Sequence, residues 1–181
     1  MTPRIPPPPR DRLLAHRPGT AGPAEAGQNP PDDERGEGTV STLFTKIING
    51  EIPGRFIWKD PDVVAFLSIG PITDGHTLVV PRQEIDHWTD AEPELMNKLT
   101  EVARVIGRAQ KRAFGSERAG LMVAGFEVPH LHVHVWPTNS LADFDLTRAD
   151  PDPKASRLDE NAEKLRTALR EDGHADTVPG Q

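Results

Sequence analysis

His130, His132 and His134 alternate with aliphatic residues in the run Pro129-His130-Leu131-His132-Val133-His134-Val135-Trp136-Pro137. Period two is the side-chain period of a β-strand. As a strand, this run puts all three imidazoles on one face and turns Leu131, Val133 and Val135 toward a core. Neighbouring rings on that face would stand roughly 6.5–7 Å apart. Imidazoles titrate near neutral pH. A row of them suits nucleophilic or acid–base work on a charged substrate, or metal binding. One histidine on a strand is ordinarily structural, but a structural role accounts poorly for three that alternate with hydrophobics. Phosphorus chemistry on an imidazole is the leading reading, and a zinc site is the next.

Composition narrows the setting. The chain has 181 residues, enough for one ordinary domain with tails. It has no cysteine, which removes disulfides, thiolate nucleophiles and cysteine-ligated zinc together. A net charge of −7 argues against broad electrostatic capture of nucleic acid. No apolar run is long enough to span a membrane, and Leu13-Leu14-Ala15 is no signal-peptide core. The expectation is a cytoplasmic protein with no nucleic-acid or membrane partner.

The histidines must be positioned by the elements around them. Residues 1–40 read as a disordered N-terminal tail, with prolines at Pro6 to Pro9 and little to bury. Ser41 or Thr42 can cap a short helix through Leu43, Phe44, Ile47 and Ile48 that ends at Asn49-Gly50. Strands follow at Arg55 to Lys59, Val63 to Ser68 and His76 to Pro81, the first two joined by a turn at Asp60-Pro61. A long helix spans Asp90 to Phe114, stopped by Gly115, with Leu95, Leu99, Val102, Val105, Ile106 and Ala109 as its apolar stripe. Strands at Gly120 to Ala124 and His130 to Trp136 complete five. A last helix runs from Ser156 to Glu171. The fold class is α+β on an antiparallel five-stranded sheet, with one long helix and short terminal helices. The domain is placed at 41–172, with a flexible C-terminal tail at 173–181.

Four blocks together resemble the histidine triad (HIT) family. They are Phe44-Thr45-Lys46-Ile47-Ile48-Asn49-Gly50-Glu51-Ile52-Pro53, Asp62-Val63-Val64-Ala65-Phe66-Leu67, Gly75-His76-Thr77-Leu78-Val79-Val80-Pro81, and His130-Leu131-His132-Val133-His134-Val135-Trp136. The resemblance covers about residues 42 to 137, in order. It implies nucleotide binding, hydrolysis or transfer of nucleoside monophosphates, and a homodimer. Residue by residue, it makes His132 the nucleophile at the α-phosphorus, through a covalent nucleotidyl-histidine. The backbone carbonyl of His130 fixes the tautomer of His132. His134 contacts phosphate oxygens, and His76 supports the site. Ser68, Ile69, His76 and His134 are the expected substrate-binding positions. No cofactor and no metal is implied for catalysis.

The departures are as specific as the match. Many relatives carry Cys-x-x-Cys as part of a structural zinc site where this chain has Thr42 and Thr45, so that site is expected to be absent. Ser68 stands where relatives often place an Asp or Asn for the ribose, and serine holds hydroxyls less firmly than a bidentate carboxylate. Phe126 and Glu127 replace a glutamine and a Ser or Thr that help at the phosphate. If Glu127 points at the site, its charge repels phosphate. Trp88, His87, Asn139, Ser140, Lys46 and Arg82 are more simply packing or surface residues, and His16 and His174 have no assigned role. The leading expectation is a hydrolase or transferase acting on a nucleoside monophosphate conjugate. Its rivals are a nucleotide-binding module without turnover, and a zinc-dependent hydrolase using His130, His132 and His134.

Overall fold

A computed structural model describes residues 41–180, so the expectation for the first 40 residues lies outside the described residues. Helix α1 (Leu43–Ile48) begins at Thr42, whose hydroxyl accepts from the Thr45 N–H. This side-chain oxygen satisfies one of the donors that a helix start leaves free. Strands β1 (Phe56–Lys59), β2 (Val63–Leu67) and β3 (Thr77–Pro81) follow, then α2 (Pro93–Phe114), β4 (Arg118–Met122), β5 (Val133–Thr138) and α3 (Ala155–Glu171). The strands form one antiparallel sheet in the order β1-β2-β3-β5-β4. The α+β architecture read from the sequence is the one observed.

The sheet carries two apolar layers. Ile57, Val63, Ala65, Leu67, Val79, Val133 and Val135 face α2 and α3. Val64, Phe66, Leu78 and Val80 face the other way and pack on Phe44 and Ile47 of α1. Strands β2 and β3 are therefore buried at every position, and their near-continuous apolar sequence follows from being covered on both faces. The functional consequence lies on β5. Its odd-numbered valines anchor the strand against α2, which leaves His134 on the α1 side.

Some boundaries differ from the sequence reading, each for a local reason. Helix α2 starts at Pro93, not Asp90, and Trp88–Asp90 form a separate 3-10 turn. Proline pushes its preceding residue out of helical geometry, and Glu92 is extended at ψ 145°. Strand β4 lies two residues earlier than expected. Strand β5 begins at Val133 and not at His130. Residues 130 and 131 are instead held by a loop and a turn: Leu131 N–H donates to Ile85 O at 2.6 Å, and His130 N–H to Val128 O at 2.8 Å.

The expected flexible tail from residue 173 is corrected as well. Lys59 N–H donates to Thr177 O at 2.7 Å, the His174 and Trp58 rings lie 5.3 Å apart, and Val178 joins the core. The sequence signal was weak because Val178 is the one large aliphatic residue after the helix.

Candidate active site

A pocket of about 440 Å³ opens on the α1 side of the sheet. His76, His132 and His134 line it, together with Ser68, Ile69 and Glu127. Apolar side chains from α1 and β2, including Phe44 and Phe66, form its floor. The structure thus brings together every expected site residue except His130. The rings of His132 and His134 have centroids 4.8 Å apart, and those of His76 and His134 5.2 Å. The Phe44 ring meets His132 edge-on at 5.0 Å.

Hydrogen-bond accounting assigns the protons. His132 Nδ1 lies 2.7 Å from His130 O. A carbonyl can only accept, so Nδ1 carries the hydrogen and the Nε2 of the neutral ring keeps its lone pair. The second chain starts at backbone. Ile72 N–H donates to His76 Nδ1 at 3.2 Å, so the neutral His76 carries its hydrogen on Nε2. That Nε2 lies 3.0 Å from His134 Nδ1, which must then accept. The hydrogen of His134 is left on Nε2. Adjacent imidazoles of one motif thus have opposite character, His132 with a lone pair on Nε2 and His134 with an N–H donor there.

Burial keeps these rings neutral. It pushes His76 down to about 3, assisted by repulsion from His134 and His132. His134 falls to about 4, again by burial first and then by the charge of His132. His132 is lowered by burial, an effect partly offset by the His130 carbonyl and by the negative charge of Glu127. Glu127 and His132 line the same pocket. Phe126 is 96% exposed at the pocket rim. Ser68 Oγ accepts from Gly70 N–H at 3.2 Å, and Ser68 N–H donates to His76 O at 2.9 Å.

His130 is fully buried, and its ring does not line the pocket. Its Nε2 lies 2.9 Å from Pro81 O, and its Nδ1 lies 2.8 Å from Thr42 Oγ1. The three motif histidines therefore do not converge on a point. Among the described residues, no group of three His, Cys, Asp or Glu side chains is arranged to hold a metal ion. The structural zinc of relatives does not fit here either. Thr42 and Thr45 offer neutral hydroxyls where zinc takes thiolate, imidazole or carboxylate.

Sequence reasoning missed Gln110. This side chain of α2 is fully buried, and its amide Nε2 donates to Gly75 O and to Val135 O, each at 2.9 Å. Those carbonyls adjoin His76 and His134, so one amide ties the two backbones that carry the pair. Its Oε1 has no partner. A glutamine on the apolar stripe was the available signal. Gly75 itself sits at φ +86°, and a Cβ there would come within 2.3 Å of the Phe114 ring. Glycine is thus required on both counts. The candidates set aside stay apart from the pocket. Trp88 is half exposed on the surface turn, Asn139 Oδ1 accepts from Glu117 N–H, Ser140 caps a 3-10 turn, and Arg82 donates to Asp60 O.

Known proteins resemble this chain in sequence and fold. The HIT domain model matches residues 49–141. An uncharacterized HIT-like protein of Methanocaldococcus jannaschii is 38% identical over 99 residues, which is 52% of this chain and 77% of that protein. The crystal structure of a Zn-bound histidine triad family protein from Mycobacterium smegmatis superposes with a TM-score of 0.65 at 28% identity, over 76% of this chain and 99% of that one. A hypothetical histidine triad nucleotide-binding protein from Sulfolobus tokodaii gives a TM-score of 0.61 at 25% identity, over 71% of this chain and 91% of that one. With the sheet, the paired histidines and these matches in agreement, the chain belongs to the HIT domain family.

Proposed function

We propose that this protein is a hydrolase or transferase of nucleoside monophosphate conjugates, acting at the α-phosphorus through a covalent nucleotidyl-histidine on His132. The observation that carries this reading is the 2.7 Å hydrogen bond from His132 Nδ1–H to His130 O, which leaves the Nε2 lone pair free for attack. The similarity to a protein described as nucleotide-binding supports the substrate class.

In the first step, His132 Nε2 forms a bond to phosphorus, and the bond from phosphorus to the leaving group breaks with its electron pair. The leaving group takes a proton from solvent. The cationic phosphoimidazole keeps its Nδ1–H on His130 O. In the second step, water or another acceptor attacks phosphorus, loses its proton to solvent and returns the electron pair to His132 Nε2. His134 Nε2–H donates to a phosphate oxygen as charge builds there. His76 holds the His134 tautomer, and Ser68 and Ile69 contact the nucleoside. The reading includes a homodimer, supported by the edge position of β4 and its half-exposed Leu121. It also includes a cytoplasmic location, supported by the absence of cysteine. Sedimentation would test the dimer.

A second reading, a binding module without turnover, draws on Ser68, whose hydroxyl oxygen already accepts from Gly70, and on the outward Phe126. One experiment separates the two. A nucleoside phosphoramidate labelled at the α-phosphorus is mixed with the protein, quenched in base and digested. Label on the peptide containing His132 is the expected result. Turnover without trapped label would sink the covalent step, and binding without turnover would establish the module.

A further inference from the structure

Outside the pocket, Thr42 bridges an exposed carboxylate and the buried His130, its N–H facing the first and its hydroxyl the second. Glu84 Oε2, in the loop after β3, accepts from the Thr45 hydroxyl and from Thr42 N–H, the latter at 3.4 Å. The hydroxyls of Thr45 and Thr42 lie 3.0 Å apart, and Thr42 Oγ1 lies 2.8 Å from His130 Nδ1. We propose that Thr42 is a positioning residue for His132, acting through His130, with Glu84 as its anchor. This rests on the reading of His132 as the reactive imidazole.

Proton accounting shows why the hydroxyl is needed. His130 Nε2 faces the Pro81 carbonyl at 2.9 Å, so it must donate. The neutral ring then has only a lone pair at Nδ1, and the Thr42 hydroxyl is the donor beside it. The same hydroxyl oxygen accepts from Thr45 N–H at 3.2 Å, so capping α1 and holding His130 are one act. Glu84 binds the first turn of α1 against the loop whose Ile85 carbonyl holds Leu131. His130 is thus fixed at both ring nitrogens and, through Val128, at its N–H. Its carbonyl, the acceptor that sets the His132 tautomer, has little freedom to turn away.

Without the hydroxyl, the His130 Nδ1 lone pair is buried with no donor, which favours a flipped or shifted ring. The shift reaches the carbonyl of the same residue. His132 is then released to place its hydrogen on Nε2, where it blocks attack. Thr42 differs in this from a residue that merely packs, because its loss changes the proton position on another residue's ring.

The test uses the full chain with ¹⁵N-labelled histidine and needs no ligand for its first readout. Wild type is expected to show His132 almost wholly as the Nδ1–H tautomer. Thr42→Val should give a mixture of tautomers and, on a substrate that the wild type turns over, a kcat about tenfold lower with KM within about twofold. Thr42→Ser, which keeps the hydroxyl, should restore both. Glu84→Ala, an exposed position, should shift the same signals in the same direction by a smaller amount and serves if Thr42→Val accumulates poorly. An unchanged His132 tautomer in Thr42→Val and in Glu84→Ala would overturn the inference. So would loss of activity in Thr42→Ser equal to that in Thr42→Val. Failure of the covalent reading shows separately, as absence of label on His132 in the wild type.

Discussion

On one side of the pocket, the rings of His76, His132 and His134 each have a hydrogen-bond partner, and two of the three are almost fully buried. On the other side, residues 124–128 carry Phe126 at 96% exposure and Glu127 on the surface, and no side chain of that stretch makes a hydrogen bond among the described residues. The first wall has its proton positions set before any ligand arrives, and preorganised donors of this kind need no rearrangement during reaction. The second wall has no such support, and its contribution depends on what the substrate brings. Under the proposed function, the chemistry would rest on the hydrogen-bonded wall and the selectivity on the wall without such bonds, and a change in one need not disturb the other.

The largest break in this contrast is expected from His132→Ala. Turnover should fall by about 10³-fold or more, as for loss of a covalent nucleophile, with the melting temperature near that of wild type. Turnover equal to wild type would end the covalent proposal. His76→Ala and His134→Ala should cost less, on the order of 10–100-fold, mostly in kcat. His76→Ala should also release the His134 tautomer, which ¹⁵N spectra can read. If KM alone rises, His76 is a binding group and not a support.

A pH profile sharpens the comparison next. Attack needs neutral His132, whose ordinary value of 6.5 is lowered by burial. The acid limb of kcat/KM should thus fall below pH 6.5, and an inflection at or above that value would contradict the buried geometry. Stability follows the same sign. The folded histidines bind fewer protons than the unfolded chain below pH 6.5, so stability drops as pH falls from there toward about 4, where His134 titrates.

Smaller effects belong to the second wall. Phe126→Gln with Glu127→Ser should strengthen binding of a nucleoside monophosphate, by at most about 1.5–3 kcal/mol for each new hydrogen bond to a charged oxygen. Isothermal titration of wild type and double variant decides it, and unchanged affinity would mean that this wall is not a phosphate clamp at all. Strong chelation is expected to change neither activity nor melting temperature. A stoichiometric zinc whose removal abolishes activity would instead favour the zinc-dependent hydrolase that uses His130, His132 and His134.

The first wall was also the legible one. Alternation in His130 to His134 announced the strand and its two faces, because period two is a backbone property that needs no tertiary information. The five strands and the long helix were readable from the same local signals. The role of the His130 ring was not, since it depends on Pro81 and Thr42, which are distant in sequence. Gln110 was hidden for a similar reason. A polar residue on an apolar helix face has meaning only once the facing carbonyls are known. Period two also overreached, placing residues 130–132 in the β5 ladder when their backbone is held by the loop at Ile85 and the turn at Val128.

The packing of residues 174–178 along β1 has a practical consequence. With Thr177 accepting from Lys59 N–H and Val178 in the core, the outer edge of β1 is partly covered by the chain's own end. A truncation after residue 172 would strip that cover, expose Trp58 and leave unpaired backbone groups on a strand edge. Such edges are templates for aggregation. Shortened forms made to isolate the domain should therefore keep the chain through Val178, and a fusion at the C-terminus needs a linker before its first bulky residue.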